Sequence, residues 1–501
     1  MVAERVGFRR KVLGEGLAVS TYTESEKAMN ETMQMILLNA PFTADYIDKY
    51  ELLDDSYRGT GGYEDGTYLI SHPREKADKY NRRRQLAYYT NYVKPVVDAQ
   101  INPIFKQDPN RQNTSSEYNR FINDVDGNNT TLTRFMKKAA IRAKLHGVEF
   151  IVMDMEQIDT TKVITKKDVE DNRLYPYLYL ISPSQILDWA TDKFGKLIYI
   201  KYSIENTIIN DKGEKEEYTE TYSWTTNICT KSSGSDIQKF NNTIGEIPVI
   251  PLYGTVNNSS DLIPQSDIYP IARTNLAIFN ATSELRERQR GQAFSVMTYP
   301  VTEDDDYESG ASTMQYGTSD CILYRGDSGG TPDFITPPSG PSETLLNEIT
   351  FMIQQIYRMA CLKDNTSISQ YNVTGIAKEY DNQQLYQVIL ELAQGLQQSE
   401  YKIAHLFELY MNDKLDNISI VYNNQFGIID ATAALTNATQ SLALNISPEF
   451  NLQVKKQVIR AVLNSVDSNL VESIIDDLEN QADARNPIEQ NQAKVVQPTR
   501  N

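Results

Sequence analysis

The pentapeptide Gly326-Asp327-Ser328-Gly329-Gly330 has the residue types and spacing of a possible reaction centre. It reads GDSGG, the sequence that surrounds the nucleophilic serine of chymotrypsin-like proteases. A serine of this kind acts only with a histidine base and with an acid that orients the histidine. Ser328 therefore suggests nucleophilic chemistry, provided that the chain supplies those two partners.

The histidines do not fit that role. His72 lies in LISHPRE and His146 in AKLHGVE, and neither setting resembles the Ala-Ala-His-Cys of the protease family. A Gly/Asp/Ser cluster between β-type residues is typical of a hairpin turn. We therefore predict a β-hairpin over 321–335 and no enzyme activity, and a serine hydrolase using Ser328 remains the remote alternative.

The other reactive residue types also lack the spacing of a known site. His72, His146 and His405 have no metal-ligand spacing, and the chain contains no GxxxxGK[ST] nucleotide-binding loop. The acidic run 303–306 lacks the spaced ligands of a calcium loop, so a solvated turn or a docking patch is the better interpretation. We expect no cofactor and no metal.

The composition is that of a folded, acidic protein. The 501 residues are 40% hydrophobic and 23% charged, and 67 acidic against 49 basic residues give a net charge of −18. This balance disfavours a protein that coats nucleic acid, because phosphate binding needs a positive face. The three cysteines, far apart in sequence, predict a reducing compartment. The N-terminus does not resemble a signal peptide, and no apolar run is long enough to predict a membrane span.

Apolar periodicity predicts an α+β fold in which helices come first and strands follow, up to about residue 255. A long helix is predicted over 74–105, with a kink or break at Pro95. Further helices are predicted downstream, over 267–292, 341–362, 377–413, 430–446, 450–465 and 468–480. The apolar face of the helix over 341–362 is predicted to consist of Leu345, Leu346, Ile349, Ile353, Ile356 and Ala360.

In this order, the segments resemble those of a bacteriophage portal protein of the group with a wing, stem, clip and crown. LHGVEFIVMD and YLYLISPSQILDWATDKFGKL are similar to wing strands with an Ile-x-Pro step, a tryptophan and a glycine turn. IPQSDIYPIARTNLAIFNATSELRERQ resembles the helix that opens the stem. TGIAKEYDNQQLYQVILELAQGL resembles the long helix after the tunnel loop, and SPEFNLQVKKQVIRAVLNSVD resembles the crown.

The resemblance covers about residues 60–480 and implies an elongated subunit. Its parts would be an N-terminal wing (1–262), a first stem helix (263–291), a β clip (292–340), a second stem helix (341–362), a tunnel loop (363–378), a long wing helix with a strand (379–429), a helical crown (430–484) and a disordered tail (485–501).

Portal proteins form a closed ring, usually a dodecamer, at one vertex of the capsid. The resemblance therefore implies a homo-oligomeric ring in the virion, assembled in the host cytoplasm, that serves DNA packaging and genome ejection. Its implied partners are double-stranded DNA in the channel, the terminase large subunit, a head–tail adaptor protein and the major capsid or scaffolding protein, with no membrane. Another ring-forming structural protein of the capsid or tail is the alternative.

Three groups of residues become candidate sites under this resemblance. The polar tunnel loop would contact DNA through Lys363, Asn365, Ser367, Ser369, Gln370 and Asn372, although an ordinary helix connector is the alternative. The acidic clip residues would form a docking patch for terminase or an adaptor, namely Glu303, Asp304, Asp305, Asp306 and Asp327.

Three stem arginines, Arg286, Arg288 and Arg290, form the third group. Residues two positions apart do not share a helix face, so at most one or two of these arginines can point at a channel. They would either bridge Glu284, Glu287 or a neighbouring subunit, or contact DNA.

Overall fold

The computed structural model contains both helices and sheets, which confirms the predicted α+β class. Two compact units divide the chain, Met1–Asn424 and Gln425–Asn501. The structure describes residues 44–113, 115–155, 175–209, 213–234, 236–255, 261–293, 296–301, 321–325, 331, 333–335, 338–362, 383–424, 426, 431–463 and 468–484.

The first unit has a helical layer beside its sheets. Its described helices are α1 Ala44–Arg58, α2 Ala77–Leu86, α3 Val93–Ile101, α4 Ser116–Asn123, α5 Leu132–His146, α6 Tyr269–Ala293, α7 Gly340–Met359 and α8 Gln383–Met411. Helices α1, α3, α5 and α6 contact one another, and α8 contacts α3 and α5.

Four sheets are formed by the described strands. These strands are β1 Asn110–Gln112, β2 Val148–Asp154, β3 Tyr177–Ile181, β4 Ile186–Thr191, β5 Leu197–Ile209, β6 Lys215–Thr225, β7 Ile228–Ser233, β8 Asp236–Asn241, β9 Val249–Tyr253, β10 Val296–Val301, β11 Cys321–Arg325, β12 Asp333–Ile335 and β13 Ser419–Val421. The sheet orders are β3-β2-β9, β4-β5-β6-β7-β8, β11-β10-β12 and β1-β13.

Helix α5 begins and ends at residues suited to those positions. The hydroxyl of Thr131 caps its start by accepting a hydrogen bond from the Arg134 amide. Gly147 ends it with a φ of +91°, and its amide donates to the Ala143 carbonyl at 2.8 Å. A Cβ atom on Gly147 would lie 2.7 Å from the Pro264 carbonyl oxygen, so conformation and space both require glycine there.

Strand β2 is the centre of its sheet and is buried from Val148 to Met153. Its register places Phe150 opposite Pro251 of β9. The amide of Met153 donates to the Pro248 carbonyl at 3.0 Å, so alternate residues of β2 bond to β9 and Phe150 is not one of them. The missing amide hydrogen of Pro251 therefore breaks no ladder bond.

The prediction of one helix over 74–105, broken at Pro95, was wrong in its detail. There are two helices, α2 and α3, and the irregular residues 87–92 separate them before Pro95 is reached. The Asn91 side chain accepts a bond from the Lys94 amide at 2.9 Å and so caps α3. Pro95 is the third residue of α3, where a backbone amide has no helical partner to lose.

The predicted β-hairpin over 321–335 was also wrong. Strand β10 lies between β11 and β12, since Met297 pairs with Cys321 in a parallel register and with Phe334 in an antiparallel one. β11 and β12 therefore run in opposite directions without pairing. Turn residues predict a reversal of direction, but they do not exclude a third strand between the two arms. The pentapeptide 326–330 lies outside the described residues.

Helix α8 is tied to its neighbours by a buried ion pair. Arg111 of β1 binds both carboxylate oxygens of Glu400, which is fully buried, and its Nη2 lies 3.0 Å from Oε2. The Tyr422 hydroxyl donates to Oε2 of Glu400 at 2.6 Å. Arg111 Nη1 also donates to Thr133 of α5 at 2.8 Å. One carboxylate thus joins α8, α5 and the β1-β13 sheet.

The second unit consists, in its described part, of α9 Ala431–Ala443, α10 Pro448–Val462 and α11 Ser468–Ala484. These positions confirm the three helices predicted after residue 430. Ser447 caps α10 by accepting a bond from the Phe450 amide at 3.0 Å. An ion pair between Lys456 and Glu479 links α10 to α11.

Candidate functional site

Helices α6 and α7 pack against each other, and the small sheet β11-β10-β12 lies between them in sequence. Gln292, near the end of α6, donates a side-chain hydrogen bond to the Pro338 carbonyl at 3.0 Å, just before α7 begins. The two helices are therefore antiparallel. Their bounds agree with the helices predicted over 267–292 and 341–362.

Asn275 anchors α6 to the helical layer. It is fully buried, and its Oδ1 accepts bonds from the Tyr89 hydroxyl at 2.8 Å and from the Tyr92 amide at 3.0 Å. Its Nδ2 donates to the Thr90 carbonyl at 3.0 Å. The Asn275 side chain thus supplies hydrogen-bond partners to backbone groups of residues 87–92, which have no helical partners.

Aromatic residues fill the space beside this anchor. Tyr63 stacks on Tyr89 with ring centroids 3.9 Å apart, and it meets Phe279 of α6 edge-on at 5.3 Å. Both arrangements are favourable for aromatic pairs. Burial raises the pKa of Tyr63 to about 12, so this hydroxyl stays neutral at physiological pH.

Arg83 makes a second anchor for α6. It is buried, and it pairs with both carboxylate oxygens of Glu75 at 3.0 and 2.8 Å. Its Nη1 donates to the Ser283 hydroxyl of α6 at 2.9 Å. The hydrogen bond from Arg83 holds the pKa of Glu75 below its usual value. Neither anchor could be predicted from the sequence, because Asn275 is a single polar residue among apolar ones and Arg83 is one of three consecutive arginines in a polar helix.

The far end of α7 is held by α3. The Gln100 side chain donates to the Ala360 carbonyl at 3.2 Å, and Ile356 and Ala360 are buried there. Leu346 was predicted to lie in the apolar face of this helix, but its side chain is 52% exposed, so the prediction was wrong for this residue. The facing end of α6 reads RERQRGQ after Leu285, so it offers no large apolar side chain against which Leu346 could be buried.

Helix α7 also carries an apolar residue away from α6. Phe351 is 59% exposed. At about 100° per residue it lies about 200° from the buried Ile349, on the opposite side of the helix. This part of the helix pair therefore has an apolar surface that the described residues of its own chain do not cover.

The three candidate arginines divide between two sides of α6. Arg286 and Arg290 line one small groove together with Arg83, and the Arg286 guanidinium lies 5.2 Å from the ring centre of Tyr88. Arg288 is exposed and does not line that groove. Within the described ranges, none of the three pairs with Glu284 or Glu287. A neighbouring subunit and DNA remain the candidate partners.

The other candidate site residues cannot be placed. Those of the tunnel loop, from Lys363 to Asn372, lie outside the described residues, as does the tail from 485. The same holds for the acidic run 303–306 and for Asp327.

His146 lies in a buried polar network and not in a catalytic arrangement. Its Nε2 is 3.1 Å from Asp54 and its Nδ1 is 3.3 Å from Glu149, while Arg142 Nε lies 2.8 Å from Glu149. Burial alone would lower the pKa of His146, but hydrogen bonds to the two carboxylates outweigh it and raise the pKa. Both ring nitrogens already contact carboxylates, so neither nitrogen of His146 is open to a serine hydroxyl.

Neither a membrane-spanning helix nor a metal cluster occurs among the described residues. No helix among them combines the length and the apolarity needed to cross a bilayer. No group of three His, Cys, Asp or Glu side chains in that part of the chain is placed to hold a metal ion.

No protein-family model matches the chain, and no curated protein matches it either. Solved structures that resemble it include a chain from "Virion of native gene transfer agent (GTA) particle", at 12% identity and a TM-score of 0.37, with 81% of this chain and 93% of that chain covered. Another is a chain from "Neck of empty GTA particle computed with C6 symmetry", at 11% identity and a TM-score of 0.36, with 79% and 88% covered. At these TM-scores the likeness does not establish a shared fold.

Proposed function

We propose that this chain is a bacteriophage portal protein. Copies of it close into a ring, a dodecamer by the family resemblance, at one capsid vertex, and double-stranded DNA enters and leaves through the central channel. The terminase large subunit and a head–tail adaptor dock on the ring, which also contacts the major capsid or scaffolding protein. In this proposal α6 and α7 are the stem helices, and β10, β11 and β12 belong to the clip.

The observation that carries the proposal is the uncovered apolar side of α7. Phe351 is 59% exposed on the side of α7 opposite the buried Ile349, on a helix pair that already buries its shared stripe. In a cyclic ring each subunit meets two neighbours through two different surfaces. The α6–α7 pair suits that requirement. One side of α7 packs on α6, and a neighbouring subunit would cover Phe351 on the other side.

The acidic charge is compatible with a conduit. An exposed ion pair contributes about 0.2–1 kcal/mol, so one attractive contact repeated in every subunit would amount to several kcal/mol and would retard a moving DNA. A chain with a net charge of −18 can line a channel that attracts DNA weakly. Replacing the carboxylates that line the channel with lysine is expected to slow packaging.

The experiment compares two charge insertions at exposed phenylalanines. Phe351→Glu places a carboxylate on the proposed neighbour contact, whereas Phe194→Glu does so at a turn residue that is 82% exposed. We expect mass photometry to show rings for the wild type and for Phe194→Glu, and single subunits with an unchanged urea midpoint for Phe351→Glu. Equal ring fractions for the two variants would remove the support that α7 gives to this function.

The alternatives have separate tests. Another ring protein of the capsid or tail would form rings that fail to package DNA when they replace the portal in an assembly reaction. A hydrolase using Ser328 would be labelled by a fluorophosphonate probe, and Ser328→Ala would abolish that labelling. We expect the wild type and Ser328→Ala to be equally unlabelled.

A further inference from the structure

A cleft of about 960 Å³ separates helix α5 from strands β5 and β6 in the first unit. Its floor includes four consecutive residues of β3, from Tyr177 to Leu180. Helix α5 contributes Arg134, Lys138 and Arg142. The walls of the cleft are far apart in sequence, so no local pattern predicts it.

The floor of the cleft is an edge strand. β3 pairs with β2 on one side only, and on the other side the Leu178 amide donates to the Val125 carbonyl at 2.7 Å. Hydrogen bonds alternate in direction along an antiparallel strand, so the amide and carbonyl of Leu180 also point away from β2. Among the described residues, no partner meets them. Asp126, next to Val125, lines the cleft, so the cleft lies on this edge of β3.

The helical wall presents two positive charges that no described residue pairs with. Arg134 and Lys138 are four residues apart, so they share one face of α5. Both are exposed, and the described residues give neither of them an ion pair. Arg142, one turn further along, is already engaged by Glu149 at 2.8 Å.

The carboxylates of the cleft are already satisfied by their own partners. Glu220 pairs with Lys231 at 2.8 Å and accepts a bond from the Tyr222 hydroxyl at 2.9 Å. Asp126 accepts a bond from the Asn128 amide at 2.9 Å, and the pKa of Asp126 is lowered despite its burial. Among the described residues, the charged side chains of the cleft without an ion pair are Arg134, Lys138 and Asp126, so the cleft is net positive on a chain whose net charge is −18.

We propose that this cleft binds an extended acidic segment of a partner protein, which adds a strand to the free edge of β3. The backbone of the segment pairs with Leu180, and its Asp or Glu side chains meet Arg134 and Lys138. Strand addition gives affinity through the main chain and selectivity through alternate side chains. The proposal does not depend on the ring function, because every residue it uses lies in one subunit.

A peptide fits this cleft better than a nucleic acid does. A strand edge offers a backbone donor and an acceptor at the spacing of another strand, which a phosphate chain does not match.

The test is selection of a displayed library of random dodecapeptides on the full-length protein. We expect the enriched peptides to contain several Asp or Glu residues. We expect the binding of a synthetic copy of the most enriched peptide to weaken at least tenfold in Arg134→Glu/Lys138→Glu. The control Lys137→Glu/Lys193→Glu makes the same charge change outside the cleft, and it should retain binding. Urea midpoints equal to that of the wild type establish that both variants fold.

Strand addition has its own readout. Bound peptide should slow hydrogen exchange of the Leu180 amide. Only every second peptide amide faces β3, so N-methylation of one alternate set of amides should abolish binding, whereas methylation of the other set should not. Enrichment of basic or uncharged peptides, no enrichment at all, or equal losses in the two charge variants would overturn the proposal. Competition by a polythymidine oligonucleotide at equal concentration would also overturn it, in favour of a nucleic-acid site.

Discussion

The Oδ1 atom of Asn275 accepts a 2.8 Å hydrogen bond from the hydroxyl of Tyr89, and this contact joins α6 to the segment that separates α2 from α3. The same side chain satisfies the amide of Tyr92 and the carbonyl of Thr90. One buried amide thus satisfies three groups of the segment between α2 and α3 and fixes α6 against it.

Replacing Asn275 by alanine should destabilise the first unit by about 1–3 kcal/mol, because buried backbone groups lose their partners. Thr274→Ala is the matched control, since Thr274 is the neighbouring position and its hydroxyl bonds only to the Pro270 carbonyl. Urea unfolding should show a lower midpoint for Asn275→Ala alone. Similar midpoints for the two variants would show that the buried amide is not an anchor.

Glu400 should behave as one half of a buried ion pair. Glu400→Ala leaves Arg111 buried without a counter-ion and should cost about 3–5 kcal/mol, whereas Arg111→Met/Glu400→Leu should recover part of that loss. The unfolding free energy of the two variants measures the difference.

An exposed ion pair provides the comparison for Glu400. Lys196 and Glu246 lie 3.1 Å apart on the surface, and Lys196→Ala should change stability by less than about 1 kcal/mol. If Arg111→Met/Glu400→Leu were less stable than Glu400→Ala, the two residues would not form a buried ion pair.

The stability of the first unit should depend on pH through His146. Its pKa is raised in the folded state, so its stabilising contribution is fully present below its unfolded pKa of about 6.5 and is lost as the pH rises through the folded pKa. The gap in unfolding free energy between wild type and His146→Gln should therefore narrow as the pH rises above about 6.5. A gap independent of pH would mean that His146 is not charged in the fold.

Loss of the charges of Arg286, Arg288 and Arg290 at the end of α6 should lower ring assembly rather than the rate of DNA packaging by intact rings. Since none of them pairs with Glu284 or Glu287, the salt-bridge alternative now requires a neighbouring subunit. We expect Arg288→Gln and Arg286→Gln/Arg290→Gln to lower the fraction of rings in mass photometry. Intact rings with slower DNA packaging would instead assign these side chains to the channel.

The sequence predicted elements well where local signals and burial agree. Helix α5 has a capping threonine, an apolar stripe and a terminal glycine, and its observed bounds follow these signals. The three helices predicted after residue 430 are also present, at Ala431–Ala443, Pro448–Val462 and Ser468–Ala484. Packing between distant segments overrode local signals elsewhere: β10 separates β11 from β12, and Asn91 sets the start of α3 so that Pro95 falls harmlessly in its first turn.

Little of the candidate site could be predicted in the same way. Leu346 belongs to the apolar stripe of α7 by spacing, yet it stays exposed because the polar end of α6 faces it. Asn275, Arg83 and the cleft beside β3 depend on contacts between residues that are far apart in sequence. Periodicity describes one element at a time, so it cannot reveal such sites.

The mass of the purified wild-type protein tests the central claim most directly. Mass photometry, with negative-stain images of the same sample, should show particles of many subunits with a central hole. The account predicts that these rings persist on dilution and disappear with Phe351→Glu. A single-subunit mass of about 57 kDa under every assembly condition would contradict it.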